Sequence, residues 1–141
     1  MLFNGTEHEA YFNKYIEQFG IRSGDNERVA LIYTLTITAD CRKHTTDLYN
    51  AEEGCVKGDA IHHGWVTGSD ARAIRLAFNL FNGFVPTALT ESEDKSDNLY
   101  DYQDNFEYDG AEVRKSLPCE IFADGSVAEY FLEAVRIRFG I

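Results

Sequence analysis

The sequence predicts a mainly α-helical single domain spanning residues 1–141, with about five helices, a long acidic insertion at 90–109 and room for a minor β-hairpin, so an α+β variant stays open. Three observations carry this expectation. Apolar residues recur at spacings of three and four in several separate stretches. Capping residues and glycines bound most of those stretches. The chain has 141 residues, 44% of them hydrophobic, and only two prolines, enough to bury one core without a staple.

Taken in order, Thr6 and Glu9 have the spacing of a capping box and open the first helix. Tyr11, Phe12, Tyr15, Ile16 and Phe19 form its buried stripe, and Gly20 supplies a left-handed stop. His8 lies in the first turn and is expected at the surface. The second apolar segment, Val29 to Ile37, has an ambiguous period. Leu35-Thr36-Ile37-Thr38 favours a strand by propensity, whereas Asp25 as a cap and Val29, Ile32, Tyr33 and Ile37 as a stripe favour a helix. Its length decides for the helix. Asp40 is expected to cap a short third helix reaching about Tyr49 and to place Cys41 and His44 on one face.

Residues 50–68 read as a loop, with glycines at 54, 58, 64 and 68 and with Trp65 as its core anchor. Ser69 begins the clearest helix, Asp70 to Asn82. Ile74, Ala77, Phe78 and Phe81 face inward on it, while Arg72, Arg75 and Asn79 project elsewhere; Gly83 ends it. Leu117 to Phe122 reads as extended or turn. Ser126 and Glu129 repeat the capping-box pattern ahead of a last helix, Val127 to about Phe139, which buries Tyr130, Phe131, Ala134 and Val135. No internal repeat is present.

Charge narrows the function classes. Thirteen Lys and Arg stand against 24 Asp and Glu, a formal net charge of −11. Such a chain repels nucleic acid and attracts basic partners, in a salt-dependent way. The plainer reading is that the charge only keeps the protein in solution. The amino terminus turns acidic at once and carries neither a basic region nor a long apolar run, so a cytosolic location is expected. Three cysteines in a reducing compartment argue against a disulfide framework.

One cluster stands out. Cys41, His44, Cys55, His62 and His63 collect soft sulfur and nitrogen donors within 23 residues. Cys41 and His44 one helical turn apart, Cys55 on a returning loop and one of the two adjacent histidines would make a closed, structural Zn2+ site. The spacing is not that of a zinc finger. The alternative is that the two cysteines are small buried residues and the histidines solvated. Cys119, following Pro118, is expected to be a core or idle thiol.

The second feature is acidic. Glu91, Glu93, Asp94, Asp97, Asp101, Asp104, Glu107 and Asp109 stand against one lysine, with Tyr100, Tyr102, Phe106 and Tyr108 interleaved in the second half. Carboxylates so spread imitate the phosphates of nucleic acid and suit a basic groove, with tyrosines supplying desolvated contacts. The alternative is a solvated loop. No nucleophile elbow, phosphate loop or dinucleotide fingerprint occurs, so no enzymatic activity is expected.

Several islands together resemble a family of short, uncharacterised proteins from Firmicute bacteria and their phages. They are His8-Glu9 with Phe12, Gly24-Asp25-Asn26-Glu27-Arg28 with Ala30-Leu31, and Gly64-Trp65 with Thr67-Gly68-Ser69. The run Ile74 to Gly83 and the ending Tyr130-Phe131 with Glu133 to Phe139 extend the likeness over most of the chain. The Cys/His cluster looks like a departure from the family pattern. Small acidic phage-borne proteins of this sort include inhibitors of host defence, anti-CRISPR proteins among them. The resemblance implies a setting and not a reaction; setting and charge together lead to the expectation of an inhibitor, monomeric or weakly dimeric, that binds a basic host protein. A CRISPR–Cas effector is the specific expectation, blocked by occlusion, with zinc holding the 41–63 region in shape. A bacterial interaction module without metal is the alternative. A metal-dependent enzyme, which would need an open coordination position, comes third.

Overall fold

Every side chain from Val29 to Leu35 is buried, and that explains why periodicity alone leaves this segment ambiguous. A helix covered on all sides has no polar face to set its period. In the computed structural model, which describes residues 1–86 and 112–141, the segment is helix α2 (Asn26–Leu35) at the centre of the fold. Asp25 caps it as expected, its carboxylate accepting from the Arg28 N–H at 3.1 Å. Around it pack α1 (Gly5–Gln18), α5 (Gly68–Asn82) and the last helix, α7 (Ala128–Phe139). The architecture is mainly α with one small hairpin.

Helix α1 starts one residue before the expected box. Asn4 is its N-cap and makes no side-chain cap bond; instead the Asn4 N–H donates 2.9 Å to Nδ1 of His8. Its end matches expectation. Gly20 has φ +64°, its N–H reaches the Glu17 carbonyl, and the Ile21 N–H reaches that of Ile16 at 3.0 Å. Those two bonds define a Schellman stop.

The third helix divides. Thr38, not Asp40, caps α3 (Ala39–Lys43), its hydroxyl accepting from the Cys41 N–H. The chain breaks at His44, and α4 (Thr45–Leu48) follows. The segment read as loop then contains a two-stranded antiparallel hairpin, β1 (Tyr49–Asn50) and β2 (Cys55–Val56), in the register Tyr49 to Val56 and Asn50 to Cys55. Asn50 organises the turn, its side-chain oxygen accepting from the Glu52 and Glu53 N–H groups. A 3-10 helix (Gly58–His62) leads on to α5.

Helix α5 opens with a box that the sequence reading missed, Thr67 with Asp70 in place of a start at Ser69. Its apolar face is buried as expected and Gly83, at φ +78°, closes it. Arg75, expected to project outward, is instead 5% exposed. The 117–122 stretch forms a short helix, α6 (Pro118–Ile121), because Pro118 at its first position is already set for helical φ. Ser126 does not cap α7. Its hydroxyl and N–H both bond Asp124, and Val127 occupies the cap position. Phe131 and Ala134 are fully buried in α7, whereas Tyr130 and Val135 are half-buried. Among the described residues no helix is long and apolar enough to cross a membrane.

Candidate functional site

The break at His44 separates the donors expected to share a metal. Cys41 turns inward and is fully buried, its Sγ 3.8 Å from Asp70 Oδ1. Burial pushes its thiol up to about 12, with Asp70 and Asp40 adding to the shift. His44 turns outward onto the Trp65 ring, stacked at 4.2 Å and 7°, with Nδ1 2.9 Å from Asp47. Two residues one turn apart in sequence thus face opposite environments.

Cys55, His62 and His63 are exposed, and Cys55 lies on β2. Among the described residues no three His, Cys, Asp or Glu groups come together as a metal site. Cys41 and His44 are thus not brought together, and hydrogen bonds pin the loop. The Lys57 N–H bonds the Leu48 carbonyl, and its Nζ bonds that of Thr46, both at 2.8 Å. Trp65 packs at the core margin through His44, in line with its anchoring role. Cys119 is exposed and outside any disulfide, not a core residue.

Ionisable groups converge elsewhere. Asp70 is 2% exposed and ties α3 to α5: it accepts from the Thr38 hydroxyl at 2.7 Å and from the Thr67 N–H and hydroxyl at 3.0 and 2.8 Å. Burial alone would raise its carboxyl, but those bonds together outweigh it and hold the group below the usual range. Arg42 is equally enclosed. Its Nε donates to the Thr36 carbonyl at 2.7 Å and its Nη2 to that of Ile37 at 2.8 Å, so a guanidinium closes the end of α2.

His8, expected at the surface, is fully buried. Because Nδ1 accepts from Asn4, the proton sits on Nε2, which donates 2.8 Å to the Tyr33 carbonyl. Burial, with Arg42 nearby, depresses its pKa to about 4 against the bond to the Tyr33 carbonyl. The ring is neutral. Around it the Tyr33 hydroxyl donates to the Leu2 carbonyl and the Leu2 N–H to Glu133, clamping residues 2–8 onto α2 and α7. No local pattern signals this clamp beyond a histidine four residues after an asparagine.

The ten partner-contact residues expected in the acidic stretch, Glu91, Glu93, Asp94, Asp97, Tyr100, Asp101, Tyr102, Asp104, Glu107 and Asp109, lie outside the described residues. What flanks them is described: α5 on one side and, on the other, Glu112, which pairs with Arg75 at 2.8 Å and Lys115 at 2.9 Å. No curated protein and no solved structure matches the chain. A family model does match, over residues 1–141 without a gap at either end, and the chain belongs to that family of unknown function, DUF6075.

Proposed function

We propose that this chain is a non-enzymatic inhibitory protein of phage or mobile-element origin that docks on a basic host protein in the bacterial cytosol. The specific target is a CRISPR–Cas effector, whose nucleic-acid-binding or conformational site it occludes. The observation that carries this reading is the placement of charge. The stretch from Glu91 to Asp109 holds eight carboxylates against one lysine, and so seven of the eleven net negative charges. The rest of the chain is close to balanced. A strong local field of one sign steers a partner of the other sign and raises its association rate.

The buried ionisable groups support the same reading. His8, Arg42 and Asp70 are each bonded within the fold, and Cys41 is held as a thiol, so their chemistry is consumed in positioning helices. The mechanism acts through residues 91–109 and does not depend on an ion at the 41–63 cluster. The test is competition: a purified effector–guide complex is titrated with target DNA in the presence of the chain, at rising salt. Inhibition should fall steeply with salt. Replacing the eight carboxylates by their amides should weaken it about tenfold or more. Inhibition indifferent to both changes removes the mechanism.

A second reading has its own observation. Leu2, Leu132 and Phe139 are 45%, 50% and 60% exposed at the α7 side of the fold. Large apolar side chains left in water favour an interface, and an accessory module that self-associates there would elute as a dimer. Leu132→Glu would return it to the monomer.

A further inference from the structure

Arg72, Arg75 and Lys115 meet at one cavity in a chain otherwise dominated by carboxylates. The cavity measures about 270 Å3, beside the first turns of α5 and the 115–120 stretch, and Gly68, Ala71 and Glu120 also line it. Its cations are held in different ways. Arg75 is buried, with Nη2 on the Glu112 carboxylate at 2.8 Å and Nη1 on the Glu112 carbonyl at 3.2 Å. Lys115 shares that carboxylate at 2.9 Å from an exposed position, a weak tether for a flexible ammonium.

Arg72 is the distinctive member. Its Nε donates 3.0 Å to the main-chain oxygen of Glu120, which orients the guanidinium, and among the described residues no carboxylate lies within ion-pair distance of it. Gly68 lies beside it, where a Cβ would make an ordinary contact with its Nη1 at 3.4 Å. Burial would raise the Glu112 carboxyl, but Lys115 and Arg75 together hold it below the usual range, so it stays charged. Asp124, close enough for Arg72 to help lower its carboxyl, joins Glu112 and Glu120, so the three cations are balanced in number; what sets the cavity apart is that Arg72 and Lys115 both face its open space.

We propose that this cavity binds a phosphate monoester, with Arg72 and Lys115 on the phosphate oxygens and Arg75 as the fixed charge behind them. An oriented guanidinium presents paired donors to an oxyanion. Two cations facing one space fit a dianion better than a single carboxylate. The volume is close to the lower limit of about 300 Å3 for small-molecule pockets, more than a bare ion needs. The spare space lies against Gly68 and Ala71 and takes the ester group. This inference stands apart from the partner reading, since it uses none of residues 91–109.

The experiment is calorimetric titration and thermal unfolding of the full chain with inorganic phosphate and with glycerol 3-phosphate. Each is set against sodium chloride at matched ionic strength, because any salt relieves self-repulsion in a chain of net charge −11. Both phosphates should stabilise beyond chloride, and the ester should bind more tightly. Arg72→Gln should weaken binding about tenfold and Lys115→Gln by less, as expected for loss of one charged hydrogen bond. Both positions are outside the core, so the variants should unfold near the parent temperature without ligand. Stabilisation no greater than chloride's, or variants that respond like the parent, overturns the site. Inorganic phosphate binding as tightly as the ester overturns the ester part and leaves a free oxyanion as the ligand.

Discussion

Around α2 the polar side chains of His8, Arg42 and Asp70 are buried and bonded to main-chain groups or neighbouring hydroxyls, whereas every ionisable side chain from Glu52 to His63 is exposed. Both regions contain side chains able to bind metals or move protons. Only their surroundings differ. In the first, water has been removed, so each polar atom must find a partner within the protein and becomes part of the fold. In the second, water reaches the same groups, and a bond such as that from Lys57 Nζ to the Thr46 carbonyl is made at the surface. A titratable residue near others in sequence is therefore no sign of a site; its enclosure decides what it does.

The sharpest way to break this contrast is to remove a buried member. Arg42→Ala leaves the Thr36 carbonyl without its side-chain donor and the Ile37 carbonyl with only Asn4 Nδ2, and should cost about 4 kcal/mol, roughly 2 for the unsatisfied group and roughly 2 for the lost charged hydrogen bond. The denaturant midpoint should fall with little change in slope. Arg42→Lys should recover only part of the loss, because one ammonium cannot reproduce the fork. A variant as stable as the parent would mean that water can replace this residue, and the distinction between regions would fail.

His8 gives the next largest effect, in acid. Its pKa falls from 6.5 to about 4 on folding, so between those values the unfolded chain binds a proton that the folded chain does not. Stability therefore rises with pH across that window. Above pH 6.5 the full value is present, and it is lost as pH falls toward 4, by about 3 kcal/mol in total. Once protonated, Nδ1–H would face the Asn4 N–H that it normally accepts from. Unfolding measured from pH 7 to 4 should show this slope. His8→Gln, which lacks the titration, should flatten it while lowering stability at neutral pH. A parent profile no steeper than that of His8→Gln would show that the ring is not the acid-sensitive group.

Legibility in the sequence follows the range of the interaction. Asp25, Gly20 and Gly83 act within one turn of their helices, and each is readable from local pattern. The Thr67 and Asp70 box was equally local and was hidden only by Ser69 beside it. The burial of Arg75 depends on Glu112, 37 residues away, and that of His8 on the Tyr33 carbonyl, 25 residues away. No periodicity encodes such pairings. The Cys/His cluster shows the converse: its residues are near in sequence, but a helix break at His44 sends Cys41 to the core and the others to the surface. The cavity at Arg72 was invisible because its lining comes from segments that meet only in three dimensions.

The smallest effects fall on the cluster itself and separate packing from metal binding. Cys41 is fully buried, so Cys41→Ala should leave a small cavity and cost about 1 kcal/mol. Cys55 and His63 are exposed, and their replacement by alanine should change stability by less than about 0.5 kcal/mol. A chelator should leave the melting temperature of the parent unchanged, since an ion that binds only the folded state would otherwise stabilise it by mass action. Zinc-dependent folding predicts a different pattern: Cys41→Ala, Cys55→Ala and chelation would all cost the same large amount, because each destroys one shared site. Unequal small losses place Cys41 with the buried groups around α2 and Cys55 with the solvated ones, which puts the boundary between the two regions at the break in the chain at His44.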